Sequence, residues 1–174
     1  MEGQSMQKSV GVGAPEPEAD RTVVIERSYD VPARVLFLAH SKPEHVKRWF
    51  GPQPYPVTLC EMDFRVGGRF RFAMTGPDGK QGTPFGGEYL DIVPDQRISY
   101  SNAFEEEGAE TMITTVTFTE KDGRTLLRHH TVFGSMAMKE LHMSGGFEQG
   151  VSLSLVQLDV VVQAIAAALA KPSS

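Results

Sequence analysis

From Gly146 to Lys171 the apolar residues Phe147, Val151, Leu155, Leu158, Val162, Ile165 and Leu169 recur every three or four positions, the spacing of one buried helical stripe. The stretch has no internal proline and ends in an Ala-rich run, so it predicts a helix of roughly six or seven turns. Upstream, between Arg21 and Phe133, the period falls to two. Thr22–Tyr29 (TVVIERSY) is β-branched and predicts a first strand. In Val57–Val66, Cys60, Met62 and Phe64 alternate with Glu61, Asp63 and Arg65. In RFRFAM, Arg69 and Arg71 alternate with Phe70, Phe72 and Met74. Strands follow at Phe85–Val93, Arg97–Phe104, Thr111–Glu120 and Thr125–Phe133. In the first of these four, Tyr89 and Ile92 are both apolar but of opposite parity, which predicts a bulge. In the last, an outward Arg128 turns Leu127, His129 and Thr131 inward.

Punctuation sets the boundaries. Asp30 is the expected N-cap of a short helix with Pro32 in its first turn, and Ser41 that of a second, from Pro43 to Trp49. Gly67-Gly68 and Asp122-Gly123 are hairpin signals. The expected fold is therefore α+β: about 6–7 antiparallel strands curving under the long C-terminal helix, with two short helices after strand 1. Residues 1–20, rich in Gly, Pro, Ser and Glu, are expected to be a flexible N-terminal tail, and 21–171 a single domain.

Composition narrows the functions. The net charge of −5 and the scattered basic residues argue against nucleic acid. No basic-then-apolar leader is evident, and the near-apolar run Val160–Ala170 is too short for a membrane span, so a cytoplasmic chain is expected. A lone Cys60 among five scattered histidines offers no metal-site spacing, and no cofactor is implied. A nucleophile elbow is absent from the sequence, and mid-strand Cys60 reads as a buried, inert thiol. Glu105, Glu106 and Glu107 read as a solvated loop tip.

Several motifs stand in a telling order: Pro32 with Phe37, Pro43-x5-Trp49, Asp63-x3-Gly67-Gly68-x-Phe70, Gly87-x-Tyr89-x-x-Ile92-x-Pro94-x-x-Arg97-Ile98, and Asp122-Gly123-x-Thr125-x-Leu127. In this order they resemble the START-like, helix-grip superfamily (Bet v 1-like, SRPBCC), and within it the branch named for activators of the heat-shock ATPase. The resemblance covers about Arg21 to Leu169. That branch commonly opens its last helix with Gly-Trp and a following Leu. Here Gly146-Phe147 and Val151 stand there, keeping an aromatic but not an indole donor.

The resemblance implies a cavity between the long helix and the concave sheet that takes an apolar or amphipathic small molecule. Relatives of this kind include aromatases and cyclases, lipid carriers and chaperone regulators, so the fold by itself selects none. The eukaryotic activators use an additional N-terminal domain, for which 20 residues are too short. The leading expectation is a binder of a small apolar or aromatic ligand with no assigned catalytic residue. Trp49, Phe70, Phe72, Met74, Tyr100, Met112, Val116, His129, Phe147 and Val151 are its wall. An inward His129 near Thr114 or Tyr100 is the residue suited to orienting a ligand or acting as a general base, in a cyclase- or hydrolase-like enzyme. The other alternative is a protein-interaction module with a chaperone partner. A homodimer through the Ala-rich helix end is a further expectation. The Met-rich segment Met136, Met138 and Met143 suits a cavity entrance or ordinary packing.

Overall fold

The computed structural model describes residues 16–171 in the order β1 (Thr22–Tyr29), α1 (Ala33–Ser41), α2 (Pro43–Trp49), β2 (Val57–Met62), β3 (Arg69–Met74), β4 (Phe85–Val93), β5 (Arg97–Phe104), β6 (Met112–Lys121), β7 (Arg124–Val132), α3 (Met136–Ser144) and α4 (Phe147–Ala170). The strands form one antiparallel sheet in the order β1-β7-β6-β5-β4-β3-β2. It is the expected α+β helix-grip fold. Residues 1–15 of the expected tail lie outside the described residues. At its end, Glu18–Arg21 form a 3-10 turn, and the Lys139 ammonium of α3 donates to the Asp20 carbonyl at 2.9 Å.

Side-chain alternation fixes which face of the sheet is covered. Phe70 and Phe72 of β3, Tyr89 of β4, Ile98 of β5, Val116 and Phe118 of β6 and Leu127 of β7 are all buried under the helices. The expected bulge lies in β4, where the register shifts between Tyr89 and Asp91. Asp122 and Gly123 both have positive φ, 55° and 79°, as the tight β6–β7 turn requires. Where β4 crosses its neighbours, Gly86 and Gly87 admit the backbone of β3 and β5: a Cβ there would strike the Phe70 or the Ser101 carbonyl.

Four expected boundaries need correction. The N-cap of α1 is Pro32, not Asp30, and the free Ala33 amide donates to Glu120 Oε1 of β6 at 2.8 Å. A long-range carboxylate does what a local cap was expected to do. Ser41 is the last residue of α1, its hydroxyl donating to the Leu38 carbonyl. The break falls at Lys42 (φ −132°, ψ 137°), because Pro43 forces the residue before it out of the helical region. β2 stops at Met62, not Val66, since the Asp63 amide already donates to the Arg69 carbonyl. Gly67-Gly68 then closes a wider Asp63–Gly68 turn, its amides donating to the Tyr89 and Arg65 carbonyls.

α4 lies across α1, α2 and β1 and buries Leu155, Leu158, Val161, Val162 and Ile165. Leu169, expected on the same stripe, is exposed near the helix end. By length and composition α4 would cross a membrane, with a mean hydropathy of 1.9. Its inner face is instead buried in the core of this domain. Polar clamps fix its middle. Gln157 Nε2 donates to the Trp49 and Gly51 carbonyls, both at 2.9 Å, and its Oε1 accepts from the Gln53 amide at 2.9 Å. Ser154 Oγ donates to the Phe50 carbonyl at 2.5 Å, and the Tyr29 hydroxyl donates to the Leu155 carbonyl at 2.6 Å.

Candidate functional site

N-terminal to those clamps the core does not close. A cavity of about 810 Å³ lies between the curved sheet and the first two turns of α4. Its floor is Phe70, Phe72 and Met74 of β3, Tyr89 of β4, Ile98 and Tyr100 of β5, Val116 of β6 and His129 of β7. One side is Trp49 and Phe50 at the end of α2; the roof is Phe147, Gly150, Val151 and Ser154. The remaining wall comes from the β5–β6 loop (106–110) and from α3 through Met138, Leu141 and His142. A second space of about 320 Å³ shares Tyr100, Phe104, His129 and Phe147 with the first and adds Met112 and Thr114.

Nine of the ten sequence-predicted residues therefore line the larger cavity, and Met112 lines the smaller one. Their geometry distinguishes them. Trp49 turns its indole N–H away from the cavity, onto the Ala39 carbonyl at 3.0 Å. Phe70 stacks edge-on to Tyr100 at 5.3 Å between ring centres and tilts against Tyr89 at 5.4 Å, which holds the aromatic floor rigid.

Apart from Glu106, Glu107 and Glu110 on the β5–β6 loop, the polar lining groups are few and neutral. His40 packs 4.7 Å from Trp49 and 5.2 Å from Phe118, with Nδ1 2.7 Å from the Leu36 carbonyl. Burial lowers its pKa from 6.5 to about 4. Burial, reinforced by His40 and His130, likewise lowers His129 to about 4, so both rings are neutral near pH 7. Burial pushes the Tyr100 hydroxyl up to about 12, with the Thr114 hydroxyl pulling the other way. His129 lines the smaller space together with Thr114 and Tyr100, the two residues expected near it. His129 Nδ1 has no hydrogen-bond partner, and the Thr114 hydroxyl instead pairs with that of Thr131 at 2.8 Å. Cys60 is half-buried on β2, its thiol pushed up to about 11 by burial, which makes it a poor nucleophile.

Sequence reasoning missed His40, Phe50, Tyr89, Phe104 and His142 as wall residues. Phe50 stands just past a helix end and His40 on a helix too short for a clear face, so neither had a periodic signal. Phe104 and His142 stack on each other at 6.1 Å, a contact between β5 and α3 that only the tertiary fold creates.

The activator of Hsp90 ATPase homolog 1-like family model matches residues 30–163, a span that contains every residue of the larger cavity. The chain belongs to that family. Three solved structures place this Hsp90-activator-homologue-like domain among bacterial proteins of the same fold. One from Nitrosomonas europaea is 21% identical with a TM-score of 0.77, covering 87% of this chain and 99% of its own. One from Chromobacterium violaceum is 28% identical with a TM-score of 0.70, covering 82% and 96%. One from Mycobacterium smegmatis is 25% identical with a TM-score of 0.74, covering 86% and 95%. No curated protein matches the chain.

Proposed function

We propose that this domain is a cytoplasmic binding protein that takes an apolar or aromatic small molecule into the cavity beneath the first turns of α4. The observation that carries this reading is the aromatic-walled space of about 810 Å³, within the range of roughly 300–1,000 Å³ typical of small-molecule sites. Trp49, Phe70, Phe72, Met74, Tyr100, Val116, His129, Phe147 and Val151, with Met112 behind them, are the contact residues. Catalysis is not part of the reading, because a neutral His129 without a partner carboxylate is a weak base at pH 7.

Native mass spectrometry of freshly purified protein is expected to reveal a bound small molecule. Val151→Trp, which places an indole in the cavity, is expected to remove that adduct while leaving the urea midpoint nearly unchanged. An adduct retained in this variant places the ligand elsewhere.

A second reading, an interaction module, is supported by the outer face of α4, where Leu153, Val156 and Val160 form an exposed apolar stripe, and by the family's name. It predicts stimulation of Hsp90 ATPase turnover by the wild type and its loss in Val160→Glu. Absence of stimulation removes the chaperone partnership, and light scattering at the same concentrations tests the homodimer.

A further inference from the structure

Two histidines line the cavity near enough for His40 to act electrostatically on His129. Val116 lies directly opposite His129 in the β6–β7 register. Phe118, two residues along the same face of β6, sets its ring 5.2 Å from that of His40. Both imidazoles line the cavity. The Leu36 carbonyl can only accept, so in the neutral ring His40 Nδ1 carries the proton and Nε2 presents a lone pair. His129 Nδ1 is buried without a partner, leaving Nε2 as its other hydrogen-bonding atom. Burial keeps both rings neutral near pH 7, so they remain acceptors rather than cations.

The other charges point the same way. The charged residues lining the cavity are Glu106, Glu107 and Glu110, with no Lys or Arg among the lining residues. An anionic ligand would lose its hydration without gaining a counter-ion and would pass three carboxylates. A cation would leave its counter-charges on the β5–β6 loop while its head sat among neutral rings. The aromatic lining residues Trp49, Tyr89 and Tyr100 suit a flat aromatic body.

Building on the binding role proposed above, we propose that the cavity selects an uncharged aromatic ligand bearing a hydrogen-bond donor, a phenol-type hydroxyl, and seats that donor at the His40–His129 corner. Such selectivity is strong where a buried acceptor is left unpaired by the wrong ligand.

Calorimetry at pH 7 with 2-naphthol, 2-methoxynaphthalene and 2-naphthoate tests it on the wild-type chain. The naphthol is expected to bind tightest, the methoxy compound at least roughly tenfold more weakly, and the anion more weakly still. In His129→Leu the naphthol-to-methoxynaphthalene ratio is expected to collapse to within about twofold. Methoxynaphthalene or naphthoate binding the wild type as tightly as naphthol overturns the donor assignment while the binding reading stands. An unchanged ratio in a folded His129→Leu overturns the assigned corner. Should that variant fail to fold, the wild-type ratios decide. If none of the three compounds binds, the proposal falls, while the binding reading is decided separately by the adduct in native mass spectrometry.

Discussion

Leu158→Ala is expected to lower the unfolding free energy by about 2–5 kcal/mol, and Val151→Ala by about 1 kcal/mol or less. Both residues lie on the inner face of α4, two turns apart, and their surroundings differ. Leu158 has no exposed surface and is enclosed by the main core cluster. Truncation there opens a hole that rigid neighbours cannot refill. Val151 already borders open space, so its lost methyl groups enlarge an existing void and forfeit few contacts. Urea midpoints of the two variants, with unchanged slopes, measure the difference. Equal losses would mean that the first turns of α4 are packed core, and the cavity would lose its roof.

Acidification is the second large effect. His40 and His129 have folded pKa values lowered to about 4, against 6.5 for the ordinary ring. Between those values the unfolded chain binds more protons than the folded one. Stability therefore rises with pH across this window. It is fully present above about pH 6.5 and drains away as pH falls toward 4. The full displacement corresponds to about 3 kcal/mol per ring. Because both rings face a cavity that water reaches, roughly 1–2 kcal/mol each is the expected loss. The urea midpoint at pH 4.5 should fall well below that at pH 7. In His129→Leu the slope across the window should shrink by about half, since one of the two rings no longer titrates. A midpoint flat from pH 7 to 4.5 would mean that both rings titrate as they do in the unfolded chain, and the neutral acceptors assigned to this corner would be lost.

Much of the fold was legible because most strands carry their own alternation or a β-branched composition. β1, β3, β4 and β5 have the expected limits. In RFRFAM the arginines had to face water, which alone orients the covered face of the sheet. Boundaries failed where the deciding partner is remote in sequence. Nothing local to Asp30 reveals that Glu120, on β6, satisfies the α1 amide. The proline rule that ends α1 at Lys42 was readable, but a serine one residue earlier mimics a cap. At the site, the long helix and the aromatic strands pointed to the floor and roof. The His40 side was not legible, because a buried neutral histidine and a surface one look alike in sequence until the sheet curves over them.

The clamps of Ser154 and Gln157 have a mechanical consequence. C-terminal to them α4 is a beam bedded in the core. N-terminal to them, Phe147 to Val151 project as a cantilever over the cavity, starting from Gly146, which is left-handed at φ 92° and gives no side-chain cap. A cantilever bends at its support, so motion in α4 is expected to be confined to its first turn and a half while the sheet, the core and the long end of the helix stay still. In hydrogen exchange, the boundary between fast and slow amides in this helix should fall at Ser154.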